Sequence, residues 1–176
     1  MNAATLSEAM NIPLARAQKW ADALTAAMAG GQINTRLRIA AFLAQIGHES
    51  GSLVYVKELG GSSYFAKYDG RKDLGNTQQG DGARFCGRGL IQITGRANYD
   101  RASQALFGDD RLLKNPELLE QPEWAAKSAV WYWSTRNLNA LADQDRFTDI
   151  TRAINGGTNG LEDRKARYRY ALAVLK

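Results

Sequence analysis

A mainly α-helical chain with a small extended region, and a substrate cleft between two lobes, is the fold class this sequence predicts. Three observations carry it. Leu37 to Ile46 (LRIAAFLAQI) is apolar nearly all the way round a helical wheel, which marks a buried helix rather than a surface one. Further segments of helical character follow one another, separated by glycine or asparagine stops. Between them, Gly70 to Gly89 holds six glycines in twenty residues, the composition of a long ordered loop of the kind that carries function in compact domains.

Taken in order, Ile12 to Met28 reads as a helix, with Pro13 tolerated in its first turn and Gly30-Gly31 closing it. Asn34 is placed to cap the buried helix that runs to about Gly47. Ser52 to Glu58 (SLVYVKE) alternates well enough for a short strand or extended segment. After the glycine-rich loop, Leu90 to Ile93 suits a short strand, and Thr94-Gly95 begins a turn. Helices are predicted at Asn98–Phe107, Pro122–Thr135 and Phe147–Ile154. Asn155-Gly156-Gly157 breaks the chain, and Leu161 to Leu175 forms the last helix. No internal repeat or linker is evident, so residues 1–176 are expected to form a single domain with a substantial core.

Lys and Arg exceed Asp and Glu by 23 − 18, a net charge of +5 that favours acidic partners such as nucleic acid, anionic lipid or a bacterial wall. The chain has no RNP, zinc-finger or helix-turn-helix signature, so nucleic acid is not the expected partner. It also lacks the run of about eighteen apolar residues that a membrane-spanning helix needs, and no stable membrane insertion is expected. The basic C-terminal helix, with Arg164, Lys165, Arg167 and Arg169, reads as a solvated face. The first residues have no basic start followed by an apolar stretch, so no signal peptide is expected. Cys86 stands alone, which excludes an internal disulfide.

Gly47-His48-Glu49-Ser50-Gly51 places a carboxylate at the end of the buried helix. Partial burial and the negative end of the helix dipole would keep Glu49 protonated, as a general acid requires. His48 beside it invites a zinc reading, but this is the only histidine in the chain, and no metal or cofactor is expected. The same counts remove a Ser-His-Asp triad, and no P-loop or dinucleotide fingerprint is present. What remains is a second carboxylate, Glu58. Two carboxylates on different elements are what a glycosidase uses, one to protonate the leaving oxygen and the other to activate water or attack the sugar. Eighteen acidic residues offer many chance pairs, so this pair alone decides little. Gln92, Thr94 and Asn98 add amide and hydroxyl groups along one stretch, with Gln92 and Thr94 on one face of the expected strand. Trp124, Trp131 and Trp133 at helical spacing read as core. Tyr64, Phe65 and Tyr68 are candidates to touch a sugar ring.

The run Ala83-Arg84-Phe85-Cys86-Gly87-Arg88-Gly89-Leu90-Ile91-Gln92-Ile93-Thr94-Gly95-Arg96-Ala97-Asn98-Tyr99 resembles the signature of the glycoside hydrolase family 19 chitinases and related phage endolysins. His48-Glu49-Ser50 resembles that family's His-Glu motif, and Ile150 to Gly157 its Ile-Asn-Gly-Gly segment, in the family's order. The resemblance implies a lysozyme-like fold and hydrolysis of a β-1,4 bond between N-acetylated sugars. It implies Glu49 as general acid, Glu58 as general base of an inverting attack by water, and Thr94 as a holder of that water. Gln92, Asn98 and Asn155 fall at substrate-contacting positions, and Arg167 matches an arginine that organises the cleft. Inversion sets the two carboxyl groups about 6.5–9.5 Å apart.

Three departures turn the expectation from chitin toward peptidoglycan. Thr158-Asn159 stands where many chitinases have a Glu, the stretch after Glu58 differs, and the disulfides of secreted plant members are impossible here. The expected protein is therefore a monomeric phage endolysin of muramidase type, a single catalytic domain without a separate wall-binding domain. It would be made in the host cytoplasm and reach the wall through holin-type release. A chitinase acting on chitin oligomers, a lytic transglycosylase and an inactive glycan-binding module are the alternatives.

Overall fold

A computed structural model describes residues 1–176. The chain folds into eleven α-helices: α1 (Ala3–Met10), α2 (Leu14–Gly30), α3 (Arg36–Glu49), α4 (Ser62–Phe65), α5 (Asp81–Arg84), α6 (Arg96–Phe107), α7 (Arg111–Lys114), α8 (Pro122–Thr135), α9 (Leu138–Asp143), α10 (Phe147–Asn155) and α11 (Leu161–Val174). The mainly helical, two-lobed architecture expected from the sequence is what forms. No helix is long and apolar enough to cross a membrane.

The all-round apolar character of α3 is explained by its neighbours. Ala40 to Gly47 are buried without interruption, because α1, α9 and α11 pack around the helix. Its cap is Thr35, whose hydroxyl accepts from Arg38 N–H at 3.3 Å, and not Asn34. Beside it α2 packs on α8, and Phe42 meets Trp133 edge to face with centroids 5.4 Å apart, both rings fully buried. The first helix, α1, went unread in the sequence because only eight residues express its pattern. It is set by Asn2, whose side chain accepts from Thr5 N–H at 2.9 Å, and by left-handed Asn11 at its end.

Both expected strands are replaced by turns. After α3, Ser50 Oγ donates to Ile46 O and accepts from Leu53 N–H, while Ser52 and Leu53 take φ of 62° and 65°. That local bonding by a serine pulls the backbone out of extension despite the alternating pattern. Gln92 likewise has a positive φ of 55°, folding Leu90–Ile93 into a turn. The extended region reduces to two isolated bridges, Lys57 with Arg88 and Arg88 with Ile93. These bridges tie the segment after α3 to the chain leading into α6.

The glycine-rich stretch is ordered by side chains. Asp69 accepts from Gly80 N–H and Gly82 N–H, and Asn76 accepts from Arg96 N–H at 2.8 Å. Gly82 is required there, since a Cβ would lie 2.1 Å from Phe65 O. Buried Asp81 pairs with Arg96 at 2.6 Å and accepts from the N–H groups of Thr77 and Gln78. The glycine-rich stretch is thereby fixed to α6, which packs on α8.

Candidate active site

Glu49 is the last residue of α3, and a cation stands beside it where the sequence predicts only partial burial and the helix dipole. Its Oε1 accepts from Arg164 Nη2 at 2.5 Å, across from α11. Arg164 is 2% exposed and the Glu49 side chain 21% exposed. The guanidinium is held on its other edges by Gln45 Oε1 and Asn159 O. Arg164 therefore does not belong to the solvated basic face read from the sequence. A buried guanidinium with every nitrogen bonded is a fixed counter-charge for the carboxylate.

Arg167, the arginine expected to organise the cleft, points elsewhere. Its Nε donates to Asp163 at 2.7 Å and its Nη1 to Ser52 Oγ at 2.8 Å. It lines a separate cavity of about 330 Å³ with Met10, Leu43 and Tyr170. The two arginines lie three residues apart on one basic helix, and sequence spacing does not show which of them turns inward. His48 sits between the two groups, with Nδ1 2.7 Å from Asp163. Burial opposes ionisation of Asp163, but the bonds from Arg167 and His48 outweigh it and hold its carboxyl below the ordinary range.

Glu58 lies in the segment bridged to the smaller lobe. Tyr68 Oη donates to its Oε1 at 2.9 Å and Gly87 N–H to its Oε2 at 3.1 Å. Tyr68 is thus an anchor for the carboxylate, and burial first, then Glu58, pushes its phenol pKa up. Gln92 donates through Nε2 to Gly89 O, which turns its Oε1 toward Gly87. A Cβ on Gly87 would lie 2.8 Å from Gln92 Oε1 and 3.3 Å from both Glu58 Oε2 and Thr94 Oγ1. Three oxygens from three expected site residues therefore converge beside the Gly87 Cα. The sequence placed Gln92 and Thr94 together by strand alternation; the turn at Gln92 does it instead.

Asn98, in the first turn of α6, donates to Thr94 O at 2.7 Å and lines a cavity of about 610 Å³ with Gln92, Thr94, Trp131 and Tyr132. Glu49 and Asn155 line a second cavity of about 380 Å³. Ile91 and Ile154 line both, so the two cavities adjoin along one side of the molecule. Trp131 is a groove residue that sequence reasoning placed in the core with Trp133. Its half-buried face on α8 was masked by the aromatic crowding of that helix. Tyr64 lies outside the groove, exposed on α4 with the Lys67 ammonium 3.4 Å over its ring. Cys86 is buried, and burial pushes its thiol pKa up, away from any nucleophilic role.

A helical, two-lobed body with a carboxylate at the end of α3 and another in the bridged segment after it fits the glycoside hydrolase class. The chain belongs to glycoside hydrolase family 19: the family model described as chitinase class I matches residues 14–150. A glycosyl hydrolase family 19 domain-containing protein of Haemophilus influenzae is 35% identical over 162 residues, covering 76% of this chain and 78% of that protein. The acidic 27 kDa endochitinase of Solanum lycopersicum is 33% identical over 175 residues, covering 83% of this chain and 66% of its own length. The crystal structure of chitinase C from Streptomyces griseus superposes with a TM-score of 0.77 at 28% identity, covering 99% of this chain and 91% of that one.

These likenesses correct the endolysin reading and its peptidoglycan partner, since the named enzymes are chitinases. The departures that suggested peptidoglycan concern the disulfides, the loop after Glu58 and the Thr158-Asn159 turn. Disulfides report on stability and compartment rather than on the groove. The loop does not disturb the bonds that fix Glu58. Asn159 serves the buried Arg164 through its carbonyl, a contact that does not depend on its side chain.

Proposed function

We propose that the protein hydrolyses the β-1,4 bonds of chitin by an inverting two-carboxylate mechanism. The observation that carries this reading is the convergence of Glu58 Oε2, Thr94 Oγ1 and Gln92 Oε1 beside Gly87, with Gln92 and Thr94 lining the cavity that adjoins the one lined by Glu49. Likeness to an endochitinase and to a chitinase supports chitin as the polymer. A water bound by Glu58 and Thr94 on the open side of this cluster gives a proton to Glu58 as it attacks the anomeric carbon, with Thr94 fixing its direction. Glu49 protonates the departing glycosidic oxygen. Arg164 then stabilises the carboxylate that proton donation leaves behind. Asn98 and Asn155, one in each cavity, offer amides to hydroxyl and N-acetyl groups.

The test is to incubate the protein with a chitin hexamer and follow the anomeric form of the new reducing ends by rapid chromatography or NMR. Release of α-anomers, abolished in Glu49→Gln and strongly reduced in Glu58→Gln, is the expected result. β-Anomers would refute inversion, and an intact hexamer would refute the substrate.

A further inference from the structure

Behind the Glu49–Arg164 pair runs a buried file of polar side chains that the proposed chemistry does not touch. Arg164 Nη1 donates to Gln45 Oε1 at 2.5 Å, and Gln45 Nε2 donates to Thr151 Oγ1 at 2.9 Å. Thr151 Oγ1 in turn donates to Phe147 O at 3.3 Å. Gln45 and Thr151 are both 0% exposed. They belong to α3 and α10, and Arg164 belongs to α11.

Two features make this file more than filling. An arginine can only donate, so its presence fixes which end of the Gln45 amide faces it. The opposite, NH₂ end of the amide must then find an acceptor, and Thr151 is that acceptor. Every bond in the file runs one way, from guanidinium to amide to hydroxyl to backbone carbonyl. The second feature is cost. A buried glutamine and threonine in an otherwise apolar helix junction destabilise the fold unless fully satisfied, and apolar residues of similar volume would pack there more simply.

We infer that Gln45 and Thr151 are positioning residues for the reaction, which hold the Arg164 guanidinium in the orientation that presents Nη2 to Glu49. The inference rests on Glu49 being the proton donor. With Gln45 bonded to Nη1 and Asn159 O to Nε, the guanidinium plane cannot rotate, and its remaining edge meets Glu49. The other groups around Glu49 do not do this. His48 on α3 is turned to Asp163 on α11, and Arg167 binds Asp163 and Ser52. Tyr132 on α8 senses the Glu49 charge, and Arg136 lies over its ring. Asn155 and Asn159 carry no charge. Arg164 is the one cation bonded to Glu49, so the orientation of Arg164 sets where its positive charge meets the carboxylate.

The test uses the full chain and a chitin hexamer, measuring kcat, KM and the pH profile of kcat/KM. In Gln45→Glu a second carboxylate shares the guanidinium, and the alkaline limb of the profile is expected to move up by about one pH unit. In Thr151→Val the Gln45 amide loses its acceptor, and kcat is expected to fall about tenfold with KM changed less than about twofold. Thr151→Ser keeps the hydroxyl and restores kcat. If Gln45→Glu does not fold, the Thr151 pair decides the matter. Lower melting temperatures with unchanged kcat and pH profiles would overturn the inference and leave the file a structural one. A wild-type protein inert on chitin would refute the proposed function instead, a distinguishable failure.

Discussion

Arg164 reaches from α11 to the end of α3 and donates to Glu49 at 2.5 Å, with only 2% of its side chain exposed. That relationship sets a buried cation beside the carboxyl group, in addition to the partial burial and helix dipole that the sequence predicts. It also predicts how the simplest variant behaves. Glu49→Gln keeps an oxygen for Arg164 to bind but has no proton to donate. Its kcat is expected to fall by about 10²–10⁴-fold. Stability, read from urea unfolding, should fall by less than the value of a charged hydrogen bond, about 1.5–3 kcal/mol, because the bond to Arg164 is kept. Binding of the hexamer, read by calorimetry, should persist. A variant with full turnover would remove Glu49 from the mechanism.

Gly87 supplies a second prediction. A methyl group there enters the point shared by Glu58, Thr94 and Gln92. The nearest atom, Gln92 Oε1, is the tip of a flexible side chain and can move aside, so the fold tolerates the change. The methyl group also displaces the oxygens proposed to bind the attacking water. Gly87→Ala is expected to lower kcat at least about tenfold while its melting temperature stays within a few degrees of wild type. Turnover equal to wild type would place the water elsewhere.

The reasons why some of this was legible in the sequence and some was not are physical. The burial of α3 was visible because a helix surrounded on all sides must be apolar on all sides. Glu49, Glu58, Gln92, Thr94 and Asn98 were visible as residue types whose chemistry fits sugars. The backbone that assembles them was not, because Ser50 and Gln92 bend it through local bonds that override alternation. The choice between Arg164 and Arg167 depends on which helix face meets α3, a tertiary fact. Trp131 and Trp133 share a helix and a residue type, and only the packing of α8 assigns one to the groove and the other to the core.

Trp131 gives the third prediction. It lines the groove beside Thr94 and Asn98, where the apolar face of a sugar ring can lie on the indole. Trp131→Ala removes that face without touching either carboxylate. KM for the hexamer is expected to rise about tenfold, with kcat nearly unchanged, as for lost uniform binding. Trp133→Ala, in contrast, opens a cavity under Phe42 and should cost about 3–5 kcal/mol of stability. Equal effects on KM from the two would deny Trp131 a role in the groove.

The fourth prediction concerns acid. Asp81 is 2% exposed, and its carboxyl is held below the ordinary range chiefly by the Arg96 hydrogen bond, against the opposing effect of burial and with help from the N–H groups of Gln78 and Thr77. Because the folded pKa is the lower one, the unfolded chain takes up the proton more readily as pH falls. The stabilisation is therefore complete above the ordinary Asp value of about 3.9 and is lost as pH drops through the lower folded value. Asp81 and Arg96 tie the glycine-rich loop to α6, the helix that carries Asn98. Asp81→Asn is expected to melt at a lower temperature than wild type at neutral pH. The gap should narrow steadily as calorimetric scans are taken from about pH 4 downward. A gap that stays constant across that range would show that the Asp81 charge contributes nothing to holding the loop.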